Sequence, residues 1–225
     1  MKGYDGRSIG IKHFWKLPRT IARIFQPTLF LQFGPTGSSR LPDIMEIRPL
    51  GLEGSYEITL TTYLDDRGYF MRTYDRELAE QGGLQTHWVQ ENQSQSIRKH
   101  TIRGLHFQKP PHAETKLLRV VKGAIMDVFV DLRKDSATYG RWDSIELSAA
   151  NLKMLYIPKG FAHGFCTLEP DSIVLYKVDS YYAPQFEGGL RWNDPTLGIP
   201  WPTEDPFLSD RDRQLELFDQ FFSPF

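Results

Sequence analysis

Short runs rich in Val, Ile, Phe and Tyr alternate with turn residues through most of this 225-residue chain. The runs recur at intervals of about 8 to 12 residues, a spacing typical of β-sandwiches and barrels. We predict strands at Tyr56–Tyr63, Thr86–Ser96, Thr101–Gln108, Lys116–Lys122, Ala124–Asp131, Trp142–Ser148, Lys153–Ile157, Ala162–Thr167 and Ser172–Tyr182. The pattern therefore predicts a mainly β fold, for which a jelly-roll barrel is a natural architecture.

Helices are expected to be few and short. The sequence TYDRELAEQ predicts one helix at Thr73–Gln81, because it is followed by the paired glycines Gly82 and Gly83. A second candidate is Arg211–Phe222.

The first 44 residues differ in character from the rest of the chain. They are basic and end near GPTGSSR, a composition typical of a linker. We predict an N-terminal extension over residues 1–44, either disordered or present through a misassigned start codon, and one domain over residues 45–225. A short amphipathic helix around Ile21 that contacts a membrane surface or a partner is the alternative.

Charge and composition narrow the class of partner. The net charge is −1, with 27 Lys and Arg against 28 Asp and Glu, whereas a general nucleic-acid binder is usually basic. Apolar runs stay well below the roughly 20 residues of a membrane span. Cys166 is the only cysteine, so no intrachain disulfide can form and a reducing compartment fits. We expect a cytoplasmic protein with neither nucleic acid nor a membrane as partner.

A cluster of cations and one imidazole lies in the predicted strands between residues 89 and 120. Arg103, His106 and Lys116 are not required for packing a half-buried strand, but they suit a site that binds an anion and moves a proton. Arginine makes bidentate contacts with phosphate oxygens. Arg67, in the turn DDRGYF, is a second candidate of this kind. A surface ion pair is the alternative role for each arginine.

The alternation of a strand predicts which side chains share a face. If Leu105 and Phe107 face the core, His106 lies on the opposite face. The neighbouring cations would favour a neutral imidazole, the form that a general base needs, although a structural histidine is the simpler alternative.

Two further polar residues are predicted to face a ligand. Gln90 and Asn92 lie two residues apart, hence on one face of a strand, and could bind a polar ligand together with Arg103. His163, in GFAHGF, has an ordinary alternative role as a capped turn residue.

Familiar cofactor and nucleophile motifs are absent from the sequence. The six histidines form no H-x-H or H-x-x-x-H pair, so no metal site is predicted. There is no G-x-G-x-x-G, no G-x-x-x-x-G-K-[ST] and no G-x-S-x-G. Cys166 has apolar neighbours and reads as a packed thiol. The residues alone therefore suggest a β-barrel that binds a phosphorylated ligand.

Longer motifs in a fixed order are more specific. They are DDRGYF (65–70), VQENQSQS (89–96), TIRGLHFQ (101–108), KLLRVVKGAIMDVFVDLRKDSATYG (116–140), ELSAANLKMLYIPKGFAHGF (146–165), VLYK (174–177), YYAP (181–184), RWNDPTLGIPWP (191–202) and LSDRD (208–212). Together they resemble the dTDP-4-dehydrorhamnose 3,5-epimerase family over essentially all of residues 45–212. The resemblance implies a cupin-like jelly roll and a cofactor-free sugar-nucleotide epimerase. It also implies a homodimer with exchanged N-terminal strands.

The resemblance also implies a role for each site residue. His106 matches the family's base, Tyr176 the acid, Asp212 the carboxylate that orients the base, and Lys116 the cation near the enolate oxygen. The substrate-binding positions that it implies are Arg67, Gln90, Asn92, Arg103, Lys116, His163, Tyr181, Tyr182, Glu187 and Arg211.

Some positions depart from the family pattern. Arg72 stands where Glu is common, Glu114 and Thr115 replace a Gln-Gly-like pair, and Asp179-Ser180 replaces a Thr-Asp or Thr-Asn pair. These changes leave open an epimerase that inverts only C3 or C5 of a related nucleotide sugar. A non-catalytic sugar-nucleotide-binding barrel and a metal-dependent oxygenase barrel are the remaining alternatives.

Overall fold

The computed structural model describes residues 44–225. The predicted N-terminal extension, with its alternative helix around Ile21, lies outside the described residues and stays a prediction. The strands are β1 (Met45–Pro49), β2 (Tyr56–Leu60), β3 (Thr62–Asp65), β4 (Gly68–Met71), β5 (Gln90–Ser96), β6 (Ile102–Gln108), β7 (Lys116–Lys122), β8 (Ala124–Asp131), β9 (Trp142–Ser148), β10 (Lys153–Ile157), β11 (Phe161–Thr167), β12 (Ser172–Val178) and β13 (Glu187–Gly189). The helices are α1 (Arg76–Gln81) and α2 (Asp210–Arg213), with 3₁₀ turns at Pro184–Phe186 and Phe218–Gln220.

Two antiparallel sheets face each other and confirm the predicted mainly β, jelly-roll architecture. One sheet has six strands in the order β1-β2-β10-β7-β12-β5, and the other has five in the order β13-β6-β11-β8-β9. Strands β3 and β4 form a separate two-stranded hairpin. The order interleaves strands that are distant in sequence, as a double-sheet jelly roll requires.

Alternating side chains divide the apolar residues among three layers. Leu118 packs between the sheets with Phe129 and Phe165, while its neighbour Leu117 packs on the other face of β7 with residues of α1. Val128 packs on the outer side of the five-stranded sheet, where residues 190–225 contribute to its covering. Burial of each large apolar side chain is worth about 1.5–3 kcal/mol, so these layers hold the sheets together.

A bulge in β6 decides which of its side chains enter the barrel. His106 pairs with His163 and Arg103 with Phe165, so β6 has one residue more than β11 across this interval. Gly104 adopts φ +130°, and a Cβ there would lie 2.4 Å from Gly164 Cα. Only glycine fits this close approach.

The structure corrects several predicted boundaries. Strand β5 begins at Gln90 and β12 ends at Val178, both shorter than predicted, and β1, β4 and β13 lie outside the predicted strands. The predicted strand Tyr56–Tyr63 is divided into β2 and the start of β3. Helix α1 begins at Arg76, because the side chain of Asp75 accepts the Leu78 N–H and caps the first turn.

The predicted C-terminal helix at Arg211–Phe222 is wrong. Residues 210–213 form one helical turn, and residues 218–220 form a 3₁₀ turn. The chain between them is held extended because Arg191 N–H donates to the Glu216 carbonyl at 2.8 Å, and Asp194 Oδ2 accepts the Phe218 N–H at 2.7 Å.

Candidate active site

The cleft between the two sheets has two connected lobes. One lobe is a cavity of about 550 Å³ that includes Arg103, His163 and the segment 209–212. The other, about 350 Å³, includes Gln90, Asn92, Tyr182 and Glu187. His106, Lys116 and Tyr176 line both lobes and therefore stand at their junction.

His106 and Asp212 form a partly buried hydrogen-bonded pair. Their Nε2 and Oδ1 atoms are 2.7 Å apart, with the His106 side chain 30% exposed and that of Asp212 6% exposed. Burial raises the pKa of the Asp212 carboxyl, but the bonds from His106, the Gly104 backbone and Ser209 outweigh it and lower the pKa below its usual value. The carboxylate is therefore an ionised partner that fixes the imidazole ring.

The one-turn helix α2 brings Asp212 to this position. Ser209 caps it, since its hydroxyl accepts the Asp212 N–H at 3.1 Å. The neighbouring bridge between Thr101 and Phe207 ties the segment to the start of β6. A short capped turn thus places the Asp212 side chain beside a strand that lies about a hundred residues earlier in the sequence.

The six-stranded sheet supplies the opposite wall. Tyr176 lies opposite Leu118 on β7 and opposite Asn92 on β5, so their side chains share one face. Gln90 and Asn92 line the cleft, as predicted from their spacing. His106 and Tyr176 consequently approach the cleft from facing sheets.

Lys116 is held by a carboxylate that sequence reasoning did not place in the site. Its Nζ lies 3.2 Å from Glu114 Oε1, and both side chains are less than 15% exposed. The other oxygen of Glu114 accepts a bond from Gln108 Nε2 at 3.2 Å. A nearly buried ammonium needs such a partner, because an unpaired buried charge is strongly disfavoured.

Arg103 is fixed across the two sheets. Its Nε donates to Ser96 Oγ at 3.0 Å and one terminal nitrogen donates to the Gln95 carbonyl at 2.9 Å. Through these bonds, residues of β5 orient the guanidinium of Arg103, which itself belongs to β6. Arg103 also lines the larger lobe.

Arg211, which lines the larger lobe, forms a polar cluster with Glu187 and Tyr182 of the smaller lobe. Arg211 binds Glu187 at 2.8 Å, and the Tyr182 hydroxyl donates to the other Glu187 oxygen at 2.9 Å. Burial raises the pKa of Glu187, but its bonds to Arg211 and Tyr182 outweigh this and lower it. The Tyr182 backbone N–H donates to Gln90 Oε1 at 2.7 Å, which ties this cluster to β5.

Asp127 is a further residue that sequence reasoning missed. Its side chain is fully buried, and both of its oxygens accept from His163 Nε2, at 2.9 and 3.0 Å. Burial raises the pKa of the Asp127 carboxyl, against the opposing effect of His163. The available signal was an aspartate in the middle of the apolar strand AIMDVFVD, since buried Asp is rare without a partner.

Two predicted binding residues lie away from the cleft. Arg67 is 90% exposed at the tip of the β3–β4 hairpin and pairs with Asp65 at 2.6 Å. Tyr181 is 67% exposed and lines neither lobe, although its carbonyl accepts a bond from Gln108. The other predicted positions all line one of the lobes.

Two features are absent from residues 44–225. No helix there is long and apolar enough to cross a membrane. Nor does that part of the chain group three His, Cys, Asp or Glu side chains in a way that could hold a metal ion.

Comparisons with known proteins agree with this geometry. The family model described as dTDP-4-dehydrorhamnose 3,5-epimerase matches residues 49–220. The dTDP-4-dehydrorhamnose 3,5-epimerase of Methanothermobacter thermautotrophicus is 45% identical over 72% of this chain and 88% of its own length. A dTDP-4-dehydrorhamnose 3-epimerase of Streptomyces niveus is 40% identical over 75% of this chain and 82% of its own length.

A solved structure shows the same fold. The dTDP-4-dehydrorhamnose 3,5-epimerase of Bacillus anthracis, crystallised with TDP and PPi bound, is 50% identical with a TM-score of 0.75. The match covers 77% of this chain and 99% of the Bacillus chain. By sequence and fold alike, this chain belongs to the dTDP-4-dehydrorhamnose 3,5-epimerase family and is an isomerase of the epimerase type.

Proposed function

We propose that this protein converts dTDP-4-dehydro-6-deoxy-D-glucose into dTDP-4-dehydro-L-rhamnose by inverting C3 and C5. The observation that carries the proposal is the junction of the two lobes. There His106, with its Asp212 partner, faces Tyr176 and Lys116 from the opposite sheet. A base on one side of a sugar ring and an acid on the other is the arrangement that epimerisation needs.

The first half of each inversion is proton removal by His106. The ketone at C4 of the substrate makes the protons on C3 and C5 acidic, because the resulting carbanion delocalises as an enolate. If the Nε2–H donates to Asp212, Nδ1 carries the lone pair that takes the proton. Asp212 then stabilises the imidazolium that forms, as the aspartate does in a Ser-His-Asp triad.

The second half is stabilisation and reprotonation of the enolate. Lys116 places a fixed positive charge in the cleft, and charge that is already in place is often the largest contribution to catalysis. Tyr176 returns a proton from the six-stranded sheet, so the new C–H bond forms on the face opposite to His106. The carbon is thereby inverted, and the enzyme is restored when the imidazolium passes its proton to solvent and the phenolate regains one.

The nucleotide is assigned to the polar residues around the junction. Arg103 supplies a fixed guanidinium for a phosphate oxygen, and Gln90, Asn92 and His163 offer hydrogen bonds. Tyr182 offers an exposed ring for the thymine, and Glu187 and Arg211 lie beside its hydroxyl. No cofactor enters the proposed reaction, and we place it in the cytoplasm.

Arg67 enters the proposal through a homodimer. The β3–β4 hairpin carries exposed apolar side chains, among them Leu64 at 71% and Phe70 at 63%. Such side chains are typical of a surface that another chain covers. We infer that the hairpin exchanges between two copies, which would carry Arg67 to the partner's cleft.

A deuterium wash-in assay tests the reaction. The protein is incubated in D₂O with dTDP-4-dehydro-6-deoxy-D-glucose, and the sugar is examined by NMR. Deuterium at both C3 and C5 is the expected result, and its absence from both carbons would refute the proposal. His106→Ala should lower the exchange by roughly 10²- to 10⁴-fold, whereas His87→Ala, a change at an exposed histidine, should leave it unaltered.

The Streptomyces niveus relative favours one second candidate, inversion at C3 alone. The same assay separates the two, since a 3-epimerase would leave C5 protonated. A non-catalytic binding barrel would bind dTDP without any exchange.

A further inference from the structure

Asp179 is a buried carboxylate that the proposed mechanism does not use. Its side chain is 0% exposed, and it lines neither lobe of the cleft. Oδ1 accepts the Thr115 backbone N–H at 2.7 Å. Oδ2 accepts from Gln85 Nε2 at 2.9 Å and lies 3.2 Å from Lys159 Nζ. Three separate loops therefore meet on one side chain.

The position of Asp179 along the sheet shows what these bonds hold. The pairing of β7 with β12 ends where Val178 lies opposite Lys116, and the pairing of β7 with β10 ends at Ile157 and the same lysine. One residue further, Thr115 has no strand partner in the sheet. The carboxylate of Asp179 accepts the Thr115 N–H instead of a strand carbonyl. It therefore extends the hydrogen bonding of β7 by one residue, to the position just before Lys116.

Lys116, the cation that lines the cleft, is the first residue of β7. It follows the connection 109–115, which starts at the end of β6, the strand that carries His106. Its ammonium is held by Glu114 at 3.2 Å, one residue before Thr115. A shift of the Thr115 peptide would move Glu114 and Lys116 together, because both are covalent neighbours of the anchored N–H.

We propose that Asp179 is a positioning residue that holds the start of β7, and through it the Lys116 ammonium, in the geometry needed at the enolate oxygen. This inference rests on the proposed function of Lys116. A hydrogen bond from a backbone N–H to a carboxylate is roughly twice as strong as a neutral one. The bond to Thr115 is the part of the cluster that controls Lys116, whereas Gln85 and Lys159 support the carboxylate from the other side.

Single variants test which bond matters. Asp179→Ala removes the acceptor, and we expect kcat to fall roughly 10- to 100-fold, because a misplacement of about 1 Å can cost 10²-fold. KM should stay within about twofold, since the proposed nucleotide contacts of Arg103, Glu187 and Arg211 lie on other elements and the Tyr182 N–H keeps its own bond to Gln90 Oε1. Asp179→Asn keeps one oxygen for the Thr115 N–H, but its amide nitrogen faces the donors Gln85 Nε2 and Lys159 Nζ, so it should recover only part of the lost kcat.

Lys159→Met and Gln85→Leu are the matched controls. Each removes one supporting contact and leaves the Thr115 bond in place, so kcat should remain within about twofold of the wild type while the melting temperature falls. A large loss of kcat in either control, or an Asp179→Asn enzyme as slow as Asp179→Ala, would overturn the assignment. These variants keep the proposal testable even if Asp179→Ala does not fold.

A double-mutant cycle with Lys116→Met gives the decisive readout. If Asp179 acts through Lys116, Asp179→Ala should add less than about a twofold loss in exchange rate once the ammonium is gone. If the loss in the double variant equals the product of the two single losses, Asp179 acts independently of Lys116. That result would refute the positioning role but not the proposed function. A wild-type protein without any exchange would instead refute the proposed function, so the two failures are distinct.

Discussion

His106 Nε2 lies 2.7 Å from Asp212 Oδ1, although 106 residues separate them in the sequence. The bond joins strand β6 to the one-turn helix α2 and orients the imidazole at the junction of the two lobes. Because the pKa of Asp212 is lowered, the carboxylate is ionised wherever histidine titrates. The pair is therefore suited to fix one tautomer of His106 throughout that pH range.

Replacing Asp212 should impair proton transfer more than binding. Asp212→Asn keeps the shape but removes the charge that selects the tautomer, and we expect kcat to fall by roughly 10²- to 10⁴-fold. The Kd for dTDP, measured by calorimetry, should change little. Asp205→Asn, a change at an exposed carboxylate that lines neither lobe, is the control. A normal kcat for Asp212→Asn would contradict the proposed role of the pair.

Much of the fold was predictable from the sequence, because its signals are local. The runs Lys116–Lys122, Ala124–Asp131, Trp142–Ser148 and Lys153–Ile157 are short segments rich in apolar residues, and they are strands with the predicted bounds. The predicted helix over residues 211–222 failed because long-range bonds to Arg191 and Asp194 hold that segment extended. Helix propensity is a local property of the sequence, so it cannot predict hydrogen bonds to residues some twenty positions away.

The site was predictable only where side-chain spacing follows a regular strand. Gln90 and Asn92 share a face as their spacing predicts. Arg103 and His106 are three residues apart, which in a regular strand would place them on opposite faces. Both line the cleft because the bulge at Gly104 adds a residue to β6. Tyr176 and Asp212 were assigned through the family resemblance, since spacing cannot relate distant residues.

Arg103 should contribute to binding through its fixed orientation. Arg103→Met should weaken dTDP binding roughly 10- to 100-fold, since a hydrogen bond to a charged group is worth about 1.5–3 kcal/mol. Arg103→Lys keeps the charge but cannot donate to Ser96 and Gln95 while also contacting a phosphate, so it should recover only part of this loss. The Kd for dTDP checks both. Tight binding by Arg103→Met would place the diphosphate elsewhere.

Asp131 should make the fold sensitive to acid. Burial raises its pKa, but bonds from Arg133, Ser136 and Thr138 outweigh this and lower it from 3.8 to about 2. A pKa that is lower in the folded state stabilises the fold above pH 3.8, and this stabilisation is lost as the pH falls through about 2. The shift corresponds to about 2 kcal/mol at pH 7, of which roughly half remains at pH 3.

Urea unfolding of Asp131→Asn measures this contribution. The variant should be about 2 kcal/mol less stable than the wild type at pH 7, and the difference should shrink toward pH 3. Asp135→Asn, a change at a nearby exposed carboxylate, should show no such pH dependence. An Asp131→Asn penalty that is equal at both pH values would mean that packing, and not the ionised carboxylate, accounts for the loss.

The exposed hairpin predicts a shared active site. If Arg67 reaches the cleft of a second copy, Arg67→Ala and His106→Ala homodimers should each be impaired. Mixing them under conditions that exchange subunits should form heterodimers in which one of the two clefts has both residues intact. The recovered activity should approach about a quarter of the wild type for equal amounts, because half of the molecules are heterodimers with one working site. Activity that stays at the sum of the separate variants would show that Arg67 does not act across an interface.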